Sequence, residues 1–67
     1  GAEEATRWDD STTADTIYIG KAVIATASSA AFWKIKRVNT STGVIDWADG
    51  DNSYDNIYDN RASLSYS

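Results

Sequence analysis

Five aspartates in the C-terminal part of the chain are the residues that most resemble a chemical site: Asp46, Asp49, Asp51, Asp55 and Asp59. Clustered carboxylates are typical calcium ligands, and an EF-hand loop needs acids at alternating positions and a glutamate at the twelfth. Counting from Asp46, the third and fifth positions are Ala48 and Gly50, and the twelfth is Ile57. The pattern fails, and turn-forming aspartates explain the cluster more simply. We therefore expect neither a metal site nor a cofactor.

The composition removes most routes to catalysis. The chain has no histidine and no cysteine, so a Ser-His-Asp triad, a zinc-thiolate site and a disulfide are all impossible. A serine activated by Lys21, Lys34 or Lys36 is conceivable, but nothing in the sequence positions such a pair. A glycosidase needs two acids in a cleft, and ligand pockets occupy about 300–1,000 Å³, which 67 residues can hardly enclose. We expect no catalytic residues and no enzymatic activity.

One segment combines basic and aromatic residues in a way that could indicate nucleic-acid binding. Lys34, Lys36 and Arg37 follow Phe32 and Trp33, a mixture found on surfaces that bind single strands. The isoelectric point of about 4.3 opposes this interpretation, because nucleic-acid-binding domains are usually basic. A strand whose lysine stems cover apolar neighbours is the simpler explanation. The sequence predicts no nucleic-acid partner.

The size of the chain favours assembly. A domain this small has a marginal core, and without a disulfide or metal the remaining means of stabilisation is oligomerisation. Aromatic side chains dominate cores and interfaces, and we predict that six of them are core or interface anchors: Trp8, Trp33, Trp47, Tyr54, Tyr58 and Tyr66. Among these, Trp33→Ala or Trp47→Ala is expected to unfold the monomer, and Tyr66→Ala to weaken assembly.

Charges are segregated along the chain. Residues 1–20 and 39–67 each carry five acids against one arginine, whereas residues 21–38 carry three lysines and one arginine with no acid. Opposed charged patches steer association between chains, although solvated faces of a sheet give the same pattern. No window approaches the roughly 20 apolar residues of a membrane-spanning helix, and no signal peptide is recognisable. We expect no membrane partner.

The elements that would position these residues are mostly strands. Residues 1–16 are polar without a clear period and predict an extended N-terminal arm, and residues 17–67 predict a single small β-rich domain. Local alternation around Ile17 and Ile19 predicts a strand, with Gly20 as a turn or bulge. The alanine-rich run that follows predicts a connection between strands.

A central β-hairpin over residues 32–47 is the strongest prediction. Trp33, Ile35 and Arg37 alternate with the residues between them, and residues 39–43 are turn formers that include a glycine. We expect Trp33 and Trp47 to approach each other across the pair. The fold class is therefore mainly β: a small antiparallel sheet, or an open barrel or sandwich.

Beyond the hairpin, Tyr54-Asp55-Asn56 recurs as Tyr58-Asp59-Asn60. The four-residue spacing predicts one or two irregular helical turns in which Tyr54 stacks on Tyr58. The tail over residues 64–66 alternates like a short strand, which could pair within the monomer or join the sheet edge of a neighbour.

Three segments together resemble a class of small proteins encoded among the structural genes of tailed bacteriophages. They are IYIGKA at residues 17–22, WKIKR at 33–37 and WADGDNSYDNIYDNRASLSYS at 47–67. The resemblance covers most of residues 17–67, is specific in the C-terminal half and is weak before Ile17. One departure is Tyr58, where that class favours tryptophan.

The resemblance implies a virion component, either associated with the tail or fibre or decorating the capsid. Its implied partners are other virion proteins and copies of itself, in a homo-oligomer, because viral structural chains commonly assemble with rotational symmetry. Two alternatives stay open from the residues alone. One is a small β module that binds a glycan or another ligand, and the other is the subunit of a self-polymerising filament.

Overall fold

Four antiparallel strands form one open sheet in a computed structural model that describes residues 4–67. The strands are β1 (Glu4–Asp9), β2 (Thr16–Val23), β3 (Lys34–Asn39) and β4 (Ile45–Trp47), and their order in the sheet follows the chain. A 3-10 helix over Tyr58–Ser63 follows the last strand. The prediction of a mainly β chain with a small antiparallel sheet is confirmed.

The prediction of an extended N-terminal arm is not confirmed. β1 pairs with β2 along its whole length, with Glu4 opposite Val23 and Asp9 opposite Tyr18. Residues 1–3 of the predicted arm lie outside the described residues. β1 is an edge strand on which only Ala5 and Asp9 are partly buried, so burial imposes little apolar alternation on its sequence.

Gly20 lies inside β2 and not at a turn or bulge, so that prediction is wrong. It stands opposite Ile35 on β3 and opposite Arg7 on β1, in regular register. The reason for glycine is space, because a Cβ atom here would lie 2.7 Å from Cε1 of Tyr58 and 3.1 Å from Cε3 of Trp33. A glycine within a strand often marks such a close approach.

The hairpin of β3 and β4 is confirmed. Asn39 Oδ1 accepts hydrogen bonds from the backbone N–H groups of Ser41 and Thr42 at 2.9 and 3.0 Å, and Gly43 adopts a φ of 77° that favours glycine. The register places Trp47 opposite Lys36. Directly opposed residues share a face of the sheet, so Trp47 lies on the face away from Trp33. The predicted contact between the two tryptophans is wrong.

One face of the sheet carries the core. Tyr18 and Ala22 from β2 and Ile35 from β3 are buried there, together with Trp33, Ala48 and Tyr58. Tyr66 and Leu64 from the tail pack against this cluster. The 3-10 helix and the tail therefore cover a single face, which we call the core face.

The two tyrosines of the four-residue repeat separate. Tyr58 is buried with its ring centroid 5.5 Å from that of Trp33, whereas Tyr54 is 46% exposed and its hydroxyl donates to Glu4. The predicted stacking of Tyr54 on Tyr58 is wrong, because the helical turn begins only at Tyr58. The tail pairs within the monomer, through an isolated bridge between Ala48 and Tyr66.

Candidate functional site

The sheet separates its two kinds of basic residue. The guanidinium groups of the three arginines lie over aromatic rings of the core: Arg7 over Trp33 at 5.7 Å, Arg37 over Tyr66 at 4.6 Å and Arg61 over Tyr58 at 4.5 Å. The alternation of the strands sends the three lysines to the opposite face. We call that face the open face, and its residues are Glu4, Thr6, Trp8, Ile17, Ile19, Lys21, Val23, Lys34, Lys36, Val38, Ile45 and Trp47.

Within residues 4–67, two ion pairs connect the elements that surround the core face. Arg37 Nη2 lies 2.7 Å from Asp46 Oδ2 across the hairpin, and Arg61 Nε lies 2.8 Å from Asp9 Oδ2. The second pair joins the 3-10 helix to the end of β1, across 52 positions of sequence. This ion pair therefore attaches the 3-10 helix, which packs over the core, to the sheet.

Asp9 is the best-satisfied carboxylate of the described residues. Its Oδ1 accepts hydrogen bonds from the backbone N–H groups of Ser11 and Thr12 in the β1–β2 turn and from the Ser11 hydroxyl. Bonds from Thr12, Ser11 and Arg61 stabilise the ionised form and hold the pKa of Asp9 far below its ordinary value. Protonation of Asp9 must weaken both the turn and the ion pair.

This lowered pKa predicts an acid-sensitive fold. The ionised Asp9 stabilises the folded state above its unfolded pKa of about 3.9, and that contribution is lost as the pH falls below this value towards the folded pKa. We expect the urea midpoint of the wild-type chain to exceed that of Asp9→Asn at pH 6, and the difference to shrink between pH 4 and pH 2. A difference that stays constant over this range would contradict the assignment.

The three lysines form a tract on the two inner strands, β2 and β3, of the open face. Lys21 and Lys34 stand directly opposite each other on β2 and β3, and Lys36 follows two residues later on the same face. The Nζ atoms of Lys34 and Lys36 lie 5.9 and 5.6 Å from the ring centroid of Trp47, within the range of cation–π attraction. With Ile19 these side chains line a pocket of about 150 Å³. We call Lys21, Lys34 and Lys36 the lysine tract.

An apolar groove continues from one end of the lysine tract. Lys34 Nζ lies 4.8 Å from the ring centroid of Tyr54, and Tyr54 with Phe32 and Val23 lines a groove of about 470 Å³. Phe32 is 65% and Val23 71% exposed. The open face therefore combines a cationic centre with an apolar margin.

The six predicted anchors divide between the two faces. Trp33 and Tyr58 are buried and Tyr66 is half-buried on the core face, whereas Trp8 and Tyr54 are exposed and Trp47 is half-buried on the open face. The Tyr66 ring lies 6.0 Å from that of Tyr18, its hydroxyl donates to the Arg61 carbonyl, and burial raises its pKa. Tyr66 packs against the core and Trp47 lies on the open face. We therefore expect Tyr66→Ala to cost more stability than Trp47→Ala, the reverse of the order predicted from the sequence.

The sequence places Lys21 in the basic segment 21–38 but does not pair it with Lys34. Its signal was the alternation of β2 around Ile17 and Ile19, but the pairing of Lys21 with Lys34 depends on a register set across the ten-residue loop 24–33. Within residues 4–67 no group of three or more acidic side chains is placed to hold an ion.

No helix in the described part of the chain has the length and apolar character needed to cross a bilayer. No family model, curated protein or solved structure matches this chain. The contrast between the two faces of the sheet is therefore the observation from which a function is inferred.

Proposed function

We propose that this chain is a non-enzymatic structural module of a tailed-bacteriophage particle, which assembles with other protein chains through its open face. The observation that supports this most strongly is the distribution of apolar side chains. Within residues 4–67, four large hydrophobic side chains are buried, whereas seven are exposed: Trp8, Val23, Ile24, Phe32, Val44, Ile45 and Tyr54. A partner that covers several of these would provide the burial that the monomer lacks.

The chemistry of the open face suits a protein partner. Trp8, 62% exposed, stands opposite Ile19, and exposed tryptophans are frequent hot spots of protein interfaces. Lysines at the centre and apolar side chains at the margin favour a partner that is apolar and acidic. None of the open-face side chains is buried in the monomer, so docking requires no rearrangement of the core.

The assignment to a virion rests on the resemblance of residues 17–67 to small structural proteins of tailed phages. A tail-associated, fibre-associated or capsid-decorating position is consistent with a chain whose second face is free for a neighbour. The particle is the proposed location, with other virion proteins and copies of the chain as partners. Neither nucleic acid nor a membrane has a part in this proposal.

A glycan-binding module is the second candidate, because the exposed face of Trp8 offers a platform on which a sugar ring could stack. The geometry around Trp47 favours protein docking instead. The ammonium groups of Lys34 and Lys36 lie over that ring and compete for the surface that a sugar would use. A filament completed by the tail is also less favoured, since Tyr66 already bridges Ala48 in its own monomer.

Mass spectrometry of particles from the phage that encodes the chain tests the proposal. We expect the chain to remain on gradient-purified particles after washing in detergent. With Trp8→Ala supplied in place of the wild type, we expect the amount per particle to fall by roughly tenfold or more, as for loss of a hot spot.

The matched control is Ile24→Ala, a truncation of another exposed apolar side chain, which lies in the loop after β2 and is not one of the open-face residues. It should leave incorporation unchanged. Circular dichroism must show that both variants fold like the wild type. Absence of the wild-type chain from washed particles would refute the assignment to a virion. Equal loss with both variants would refute the proposed role of the open face.

A further inference from the structure

We infer that the lysine tract on the open face is the docking site for a second copy of this chain, and that the segment which occupies it is the loop of residues 49–55. We call this segment the acidic loop. The inference rests on the proposed function, because it takes the open face as the docking surface. It goes further by assigning the open face to a second copy and not to another virion protein, and by naming the segment that binds.

The first observation is a pair of like charges inside the sheet. Lys21 and Lys34 are directly opposed residues of β2 and β3, and like charges in that relation destabilise a sheet. In the part of the chain that the structure describes, no carboxylate forms an ion pair with Lys21, Lys34 or Lys36. Carboxylates from another chain placed over the tract would relieve this repulsion.

The second observation is a matching set of carboxylates. The acidic loop carries Asp49, Asp51 and Asp55 and no basic residue, and all three aspartates are exposed. Local hydrogen bonds hold two of them: Asp51 Oδ1 accepts from the Ser53 N–H, and Asp55 Oδ1 from the Asn56 side chain. Three carboxylates on one copy therefore match three ammonium groups on the other in number and sign.

The third observation is the position of the loop. Tyr54 of the acidic loop touches Lys34, so the loop lies at the end of the tract, beside the apolar groove. Contact between the lysine tracts of two copies would be repulsive. Contact between the lysine tract of one copy and the acidic loop of the other is attractive. Exposed Phe32 and Val23 of the groove would be covered by the same contact, which adds apolar burial to the charge pairing.

Charge reversal on either side tests the inference with purified protein in dilute buffer. Lys34→Glu with Lys36→Glu gives one variant, and Asp51→Lys with Asp55→Lys gives the other. Each alone should associate at least about tenfold more weakly than the wild type, since like charges then face each other. An equimolar mixture should recover association, because the acidic tract of the first variant fits the basic loop of the second. Light scattering and native mass spectrometry measure the mass of the species in solution and so report association.

The charge-matched control is Asp10→Lys with Asp59→Lys, two exposed acids outside the acidic loop. This variant should associate like the wild type, and 1 M salt, where the Debye length is about 3 Å, should weaken association of both. Three results would each overturn the inference: a wild-type chain that stays monomeric, a mixture that fails to associate, or a control that loses association as strongly as the loop variant.

The two proposals fail separately. A chain found on washed particles whose charge-reversed mixture stays monomeric would leave the virion role intact and remove the second copy as the occupant. A charge-reversed mixture that associates, together with a wild-type chain that is absent from particles, would remove the virion role and leave the second copy as the occupant of the tract.

Discussion

Trp33→Ala is expected to leave the chain largely unfolded at 25 °C. The Trp33 side chain is fully buried, contacts Tyr58 and donates its indole N–H to the Ala27 carbonyl at 2.8 Å. Truncating a buried tryptophan costs about 3–5 kcal/mol, and a chain of this length has a stability of roughly 3–10 kcal/mol. The loss is comparable with the whole free energy of unfolding.

The measurement is urea unfolding followed by far-ultraviolet circular dichroism. Trp47→Ala is the matched control, since it makes the same truncation on the open face of the same hairpin. It should keep the folded spectrum and lose at most about 1–2 kcal/mol, through its contacts with Lys34 and Lys36. If Trp47→Ala unfolded the chain as fully as Trp33→Ala, the division into core and open faces would be refuted.

Gly20→Ala is the second substitution with a large expected effect. A Cβ at Gly20 would overlap the Tyr58 ring at Cδ1 and Cε1 and press on Trp33. Replacing glycine lowers the entropy of the unfolded chain and stabilises the fold by about 0.4–1 kcal/mol where the new side chain fits. Forcing atoms into a packed core costs about 1–3 kcal/mol. The clash therefore dominates, and the urea midpoint should fall.

A double-mutant cycle identifies the cause of that loss. In a Tyr58→Leu background the ring that the new methyl group would strike is absent, so Gly20→Ala should cost much less there than in the wild type. Coupled neighbours show such non-additivity at about 0.5–3 kcal/mol. Additive effects would mean that Gly20 serves some role other than making room for Tyr58.

The large aromatic and apolar side chains of this small chain fall into a buried group and an exposed group. One cluster around Trp33 and Tyr58 consolidates a single face of a four-stranded sheet, with arginines stacked on its rings. The remaining large apolar side chains, Trp8 and Phe32 among them, stay exposed. The core of the described residues therefore lies on one side of the sheet, and large apolar side chains on the other side are left uncovered.

Much of the fold follows from the sequence. The alternation over residues 33–37 and the turn formers at 39–43 determine the β3–β4 hairpin, because side-chain period and turn chemistry act locally. Ile17 and Ile19 likewise mark β2. The absence of histidine and cysteine limits the chemistry available to the chain, independently of its fold.

What tertiary structure alone decided is the face on which each side chain lies and the neighbour that it meets. The predicted Trp33–Trp47 contact failed because the register places Trp47 opposite Lys36, and a shift of one residue moves a side chain to the other face. Gly20 was predicted to mark a turn or bulge because the residue that requires a glycine there, Tyr58, lies 38 positions away in the sequence. The lysine tract likewise exists only because β2 and β3 pair across a long loop. Sequence periodicity determines local structure, whereas long-range packing sets the register that assembles these faces.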